Sequence, residues 1–392
     1  MADNELFRYF TEHYYPKNEV LYRLPLSCRI DEFWPELMEY RKGNACTLPL
    51  ASWDGHPCWY ANTAALLTEG DRFAQEARSE SYLKQYADDD AVIDEAYFSS
   101  LIEGAYTTRQ QAHEFIASGA EPKDNSERMI LNNYSALRFV LDHLDSPISE
   151  NVILEIARIL TEGTLTGNAR HGYRDVPVHV VSGRQEVVYT APDAIYIRPM
   201  MDSLVRFINN PSFHPIIKAC AAHVYFVTIH PLFDGNGRTA RALSYMILLK
   251  SGYDFIRQFP ISGIPAQERS RYYKAIRACQ EPENGYDFTY FIEYYTGALA
   301  RSAADVHEYM KRHARLEKLK TALADKSDAN RLIEGAAWLV KNSIDTVTAE
   351  KWRNKFRISF ETARKDLMKL AEYGFVSKRV EGRKIFYDMV KE

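Results

Sequence analysis

The residues best able to do chemistry lie in one run: His230-Pro231-Leu232-Phe233-Asp234-Gly235-Asn236-Gly237-Arg238-Thr239-Ala240-Arg241. His230 carries an imidazole whose ordinary pKa of about 6.5 lets it exchange a proton near neutral pH. Asp234 is a hard oxygen ligand of the kind Mg²⁺ prefers. Gly235 and Gly237 permit a tight turn that other residues avoid. If a helix opens from that turn, its unpaired backbone N–H groups and its dipole make an anion site. Arg238 and Arg241, three apart, share one face of such a helix and can grip phosphate oxygens. A base, a metal carboxylate, an anion-cradling turn and two guanidiniums together suit phosphoryl chemistry on a nucleotide.

These groups need rigid elements to hold them. The apolar run 219–229 has no Gly or Pro and predicts a buried helix that Pro231 ends. Ala240, Leu243, Met246 and Ile247 repeat with helical spacing, so a second helix follows the turn. Upstream, over 88–109, Ile93, Ala96, Tyr97, Leu101 and Ile102 form one apolar helical face. On that helix Ser99 and Glu103 are one turn apart and share a face, and Gly104 suits its end. The runs 176–181 and 186–190, which include Val187, Val188, Tyr189 and Thr190, are strand-like, and Ser182-Gly183-Arg184-Gln185 between them signals a hairpin. Further helices are expected over 152–160, around Tyr272 and Tyr273, over 288–295, and over the charged stretch 302–326.

The run resembles the signature of the Fic (filamentation induced by cAMP) family, His-Pro-Phe-x-Asp/Glu-Gly-Asn-Gly-Arg-x-x-Arg. Every polar position matches; Leu232 replaces the usual Phe and Ala240 a common Gly. The resemblance implies an all-helical core that transfers AMP from ATP to a protein hydroxyl. On the matching positions it implies His230 as the base and Asp234 as the Mg²⁺ ligand. Gly235, Asn236, Gly237, Arg238 and Arg241 would bind ATP, with Tyr272 and Tyr273 near its nucleoside. Ser99-Ser100-Leu101-Ile102-Glu103-Gly104 is similar to the family's inhibitory motif, so Glu103 would pair with Arg241 and hold the site off. The hairpin carrying Val187 to Thr190 would be the flap that pairs with a target peptide. Relatives resembling Doc toxins transfer phosphate instead, but typically replace the two turn glycines that are present here. AMP removal, or a regulator that only senses nucleotide, are the other readings.

The whole chain has 392 residues and a net charge of −4, which predicts two or three domains and gives no sign of a polyanion-binding protein overall. We expect a mainly α protein: an N-terminal extension over 1–109 ending in the inhibitory helix, a Fic core over 110–300 and a helical linker over 301–330. A winged helix-turn-helix domain is expected over 331–392. That last segment has 14 Lys and Arg against 9 Asp and Glu, and its third helix and hairpin offer Arg364, Lys365, Lys369, Lys378, Arg379, Arg383 and Lys384. DNA is therefore one partner to test and protein docking another; a homodimer stays open. The five cysteines are scattered without CxxC spacing and read as reduced thiols in the cytoplasm. No apolar run long enough to span a membrane and no signal peptide are expected.

Overall fold

A fifteen-residue run whose only formal charge is Lys218 has to be wrapped by protein on all sides. The computed structural model describes residues 2–66, 68, 70, 89–167, 169–181, 186–324, 326, 329–342 and 344–390. In it this run is the helix Pro215–Ile229, buried from Ile216 onward except at Lys218. Pro215 sits at the first position, where its missing N–H would be orphaned in any case. His214 caps the helix by accepting the Ile216 N–H at 3.3 Å. Asn236–Lys250 packs against it and is buried along nearly its whole length. Ser244 Oγ joins the two, donating to Ala219 O at 3.1 Å and Ala240 O at 3.0 Å. Truncating Leu243 or Leu248 to Ala in so closed a core would cost ~2–5 kcal/mol.

Amphipathic helices surround this pair. Ile197–Ile208 lies on the first helix and Glu150–Leu160 on the second, and Asn125–Asp142 packs on Glu150–Leu160 and on Asp89–Ile102. Ser149 and Asp124 cap two of them by accepting N–H groups of Val152 and Glu127. Asp89–Ile102 stops short of the helix expected to 109, because Gly104 takes φ of +93° and the chain turns. A new helix, Arg109–Ser118, starts there from a capping box formed by Thr108 and Gln111.

The N-terminal residues join this bundle, and Met1–Ala303 forms one compact unit. Buried Arg41 donates to Tyr290 Oη at 3.0 Å and to Phe10 O at 2.8 Å. Tyr14 Oη donates to Asp287 Oδ2 at 2.6 Å, and the indoles of Trp34 and Trp59 donate to Glu283 O and Gly285 O. An antiparallel hairpin, β1 (Ala45–Ala51) and β2 (Pro57–Ala61), lies over the loop that contains Asp287 through the Trp59–Asp287 bridge. A second hairpin pairs β3 (His179–Val181) with β4 (Val187–Thr190). β3 begins later than the sequence suggests, since Pro177 has no N–H to give a ladder. The turn signal at 182–185 lies outside the described residues.

The second unit is Ala304–Glu392. The helices expected over 288–295 and 302–326 are a single helix, Thr289–Leu323, because no proline separates them and Gly297 alone is tolerated. Within the second unit, Ala329–Lys341, Ala349–Phe356 and Phe360–Glu372 pack around Trp352 beside a small sheet. The strands β5 (Thr346–Val347), β6 (Val376–Glu381) and β7 (Lys384–Met389) run in the order β5-β7-β6. Gly335 admits the Trp352 ring so closely that an added Cβ would meet it at 2.0 Å. Trp352 Nε1 donates to Asp366 Oδ2 at 3.1 Å, and Arg331 neutralises that buried carboxylate. Among the described residues no helix is long and apolar enough to cross a membrane.

Candidate active site

Between the two central helices the chain must reverse within a few residues, and the signature run does this. His230 is the C-cap of Pro215–Ile229 in the left-handed region, φ 50° and ψ 56°. A non-glycine there is strained and needs support. Arg174 gives it: the buried guanidinium donates from Nε to His230 O at 2.7 Å and from Nη1 to Val176 O at 2.9 Å. The Arg174 N–H also bonds Pro231 O at 2.8 Å. Its residue type and place in the sequence give no sign of this role. Nothing in its spacing links it to a histidine 56 residues away.

His230 Nδ1 lies 3.3 Å from Val227 O. A carbonyl only accepts, so Nδ1 carries the hydrogen and Nε2 keeps its lone pair. Burial pulls the His230 pKa below its ordinary value, and Arg174 adds to this. The Val227 carbonyl, Glu103 and Asp234 act the other way without prevailing. The ring is therefore neutral at neutral pH, as a proton acceptor must be.

Gly235 caps Asn236–Lys250 with φ of +80°, and a Cβ there would press to 2.9 Å of Thr161 Cγ2. Asn236 is buried and spends its side chain on the turn, accepting from Leu232 N and donating to Leu232 O, both at 2.9 Å. With its amide engaged in the turn, Asn236 has its backbone N–H, at the helix start, left to offer an anion. Asp234 is half exposed. It accepts the Gly235 N–H at 2.6 Å through Oδ1 and Arg238 Nη2 at 3.0 Å through Oδ2. Mg²⁺ commonly binds one or two carboxylates plus substrate phosphates, so this single exposed carboxylate fits the ion when a nucleotide supplies the other oxygens.

Arg238 and Arg241 are both buried. Arg238 Nη1 donates to Leu160 O at 2.8 Å, while its Nε is buried without a hydrogen-bond partner among the described residues. Arg241 Nε donates to Ser99 Oγ at 2.8 Å and Nη2 to Ser99 O at 2.9 Å. The same Nη2 meets Glu103 Oε1 at 2.8 Å. Burial alone would raise the Glu103 pKa, but Arg241, then Arg238 and Arg269, hold it below the ordinary value and keep it ionised. A Cβ added at Gly237 would lie 2.2 Å from Glu103 Oε1. A carboxylate therefore already rests against the helix N-terminus, where an anion is favoured.

The two tyrosines part company. Tyr272 is buried; it accepts from Arg241 Nη1 at 3.2 Å and reaches His223 Nε2 at 2.8 Å. Burial, with Arg241, holds His223 well below its ordinary pKa, so the neutral ring accepts the Tyr272 proton and gives its Nδ1 hydrogen to Ser244 Oγ at 3.2 Å. Tyr272 thus holds Arg241 in place. Tyr273 stays partly exposed, its hydroxyl donating to Ile102 O at 3.3 Å beside Glu103. Of the flap residues, Val187 is exposed, Val188 half-buried, and Thr190 exposed. Tyr189 anchors the strand by donating to Thr228 O at 2.7 Å, two residues before His230.

Residues 147–248 match the Fic/DOC family. Over 228 residues the chain is 29% identical to the protein adenylyltransferase fic-1 of Caenorhabditis elegans, which covers 55% of this chain and 40% of that protein. Over 85 residues it is 39% identical to the protein adenylyltransferase Fic of Drosophila ananassae, covering 21% and 16%. The chain thus spans less than half the length of these curated relatives. A Fic family protein from Desulfovibrio desulfuricans G20 is similar in fold, with a TM-score of 0.57 at 19% identity over 85% of this chain and 98% of that one.

Proposed function

Because residues 147–248 are a Fic/DOC-family domain, we propose that the chain is a protein adenylyltransferase held off by its own Glu103. It moves AMP from ATP to a Ser, Thr or Tyr hydroxyl of a target protein or of itself. The observation that carries this is the neutral His230, with its Nε2 lone pair free, beside a helix N-terminus and two buried arginines.

In this reading the ATP phosphates lie against the start of Asn236–Lys250, where N–H groups lack intrahelical partners. Arg238 and Arg241 grip the outer phosphates. Asp234 holds Mg²⁺, which when bound offsets phosphate charge and the charge on departing pyrophosphate. His230 Nε2 accepts the hydroxyl proton as that oxygen bonds to the α-phosphorus, and the bond to the β-phosphate bridging oxygen breaks. Arg174 keeps the imidazole at the required place by fixing its backbone. The flap supports strand pairing with the acceptor segment. Glu103 competes for Arg241 and for the helix N-terminus, so ATP bound beside it lacks part of its grip.

Intact-protein mass after incubation with ATP and Mg²⁺ tests this, on the Glu103→Gly chain and on lysate proteins. A gain of one AMP is expected. Gain of a phosphate, or no labelling of any protein, would overturn the reading. For the C-terminal unit we propose a winged helix that binds DNA, supported by the exposed Arg364, Lys365 and Lys369 on Phe360–Glu372. Five free cysteines support a reducing, cytoplasmic setting.

A further inference from the structure

Backbone pairing along a flap strand is blind to side chains, so the choice of target must come from a pocket nearby. Such a pocket exists, apart from the nucleotide site. It is a cavity of about 550 Å³ walled by three stretches distant in sequence. Trp53 and Asp54 come from the turn between β1 and β2, residues 188–193 from β4 and the chain leaving it, and Glu281 and Tyr286 from the loop after Arg269–Gln280. Thr228 lines it too, and the Tyr189 hydroxyl on Thr228 O links the cavity to the helix that ends at His230.

Its chemistry is one-sided. Asp54, Asp193 and Glu281 contribute three carboxylates against the single guanidinium of Arg277. Asp54 is fixed in place, accepting from Ser52 Oγ and from Tyr286 Oη at 2.9 Å. Tyr286 has φ of 56°, a genuine outlier for an aromatic residue. Neighbours enforce that conformation: Trp59 N–H reaches Tyr286 O at 3.4 Å and Phe288 N–H reaches Trp59 O at 2.8 Å. Strain kept at a cavity wall marks a place where geometry matters. The rings of Trp53 and Tyr286 add faces that attract cations.

We propose that this cavity receives a lysine or arginine side chain of the acceptor segment and so selects which hydroxyls are modified. An acidic side chain would meet three like charges, and an apolar one would desolvate carboxylates without pairing them. The volume exceeds one side chain, leaving room for the backbone that carries it. The proposal rests on the adenylyl-transfer reading for what the segment is used for, not for its binding.

Fluorescent short peptides test it on the full chain. One arginine is walked through each position around a single serine in an alanine background, with norleucine and glutamate as controls, and binding is read by anisotropy. At one position arginine or lysine should bind ~10-fold tighter than norleucine. Asp54→Asn with Asp193→Asn should erase that difference while melting temperature and ATP binding hold. The exposed Asp193→Asn alone serves if the pair misfolds, and should reduce it. Equal binding of arginine and norleucine at every position, or a preference unchanged in the variants, overturns the proposal. Cation-selective binding with no peptide labelled from ATP by the Glu103→Gly chain would sink adenylyl transfer and leave the pocket. Labelling without cation preference would do the reverse.

Discussion

Glu103 and the terminal phosphate of a nucleotide seek the same environment: a helix N-terminus and the buried guanidinium of Arg241. Deleting the carboxylate leaves that buried charge with hydrogen bonds to neutral Ser99 and Tyr272 and no ion pair in hand, a state that an incoming anion relieves. Glu103→Gly should therefore raise AMP transfer by roughly 5–150-fold, as a coupling of about 1–3 kcal/mol gives. Pyrophosphate release measures it; a variant no faster than wild type would leave Glu103 a structural ion pair. Adding His230→Ala should abolish that gain, lowering the rate by about 10²–10⁴-fold, while ATP binding by calorimetry persists. Undiminished labelling would remove His230 as the base. In the Glu103→Gly protein, activity should also fall on the acid side with a midpoint below about 6.5, since burial lowers the His230 pKa and the variant removes one influence that raises it. A midpoint above that value would mean another group titrates. Much of this was legible in the sequence, because types and spacing within twelve residues report chemistry directly. The roles of Arg174 and His223 were not. Each acts through hydrogen bonds to residues far along the chain, and spacing carries no trace of those.

The helix Asp89–Ile102 carries Ser99 at a buried position and leads directly to Glu103, so what fastens it fixes the Glu103–Arg241 contact. Two turns before Glu103, buried Glu95 accepts from Ser262 N at 2.8 Å and from Ser262 Oγ. Burial raises its pKa to about 7 in the fold, against the lowering influence of Ser262 and Arg241, whereas the ordinary value is 4.5. Between those values the folded chain holds a proton that the unfolded chain has released. The contribution to stability is thus complete below about 4.5 and is lost as pH rises to about 7. Glu95→Gln cannot ionise. Its melting temperature relative to wild type should climb across that window and then level, by scanning calorimetry; a constant difference would show that Glu95 does not titrate there. The sequence marks this helix through its apolar face and Gly104, and the flap through alternation. It misplaces ends wherever a local device decides them, as Pro177 delays β3 and Gly104 stops the helix early. It also splits Thr289–Leu323 in two, because a change of surface charge looks like a boundary when no breaker is present.

At the scale of the chain, composition marks a basic segment from residue 331 in an acidic remainder, whereas the fold divides earlier, at Ala303 and Ala304. Residues 2–66 belong to the same compact unit as the helical bundle that follows them. That union depends on single buried groups such as Arg41 and Tyr14, whose partners near residue 290 only the fold reveals. The charge of the second unit is itself unevenly spread. Arg331 is spent on Asp366 and Arg379 on Asp388 and Glu381, so neither is free for a phosphate. Arg364 and Lys365 stand exposed on Phe360–Glu372, opposite buried Ala363, Leu367 and Leu370. If that helix meets DNA, Arg364→Glu with Lys365→Glu in the full chain should abolish retention on a random duplex. Wild-type binding should weaken steeply with salt, the slope reporting phosphates contacted at roughly 0.9 counterions each. Reversing charge on an exposed face leaves the core around Trp352 intact, so the melting temperature should hold, and AMP labelling by the Glu103→Gly chain should not change. Gel-shift titrations across a salt series give the answer. Retention that ignores both the reversal and the salt would turn the unit from a DNA reader into a docking module for protein.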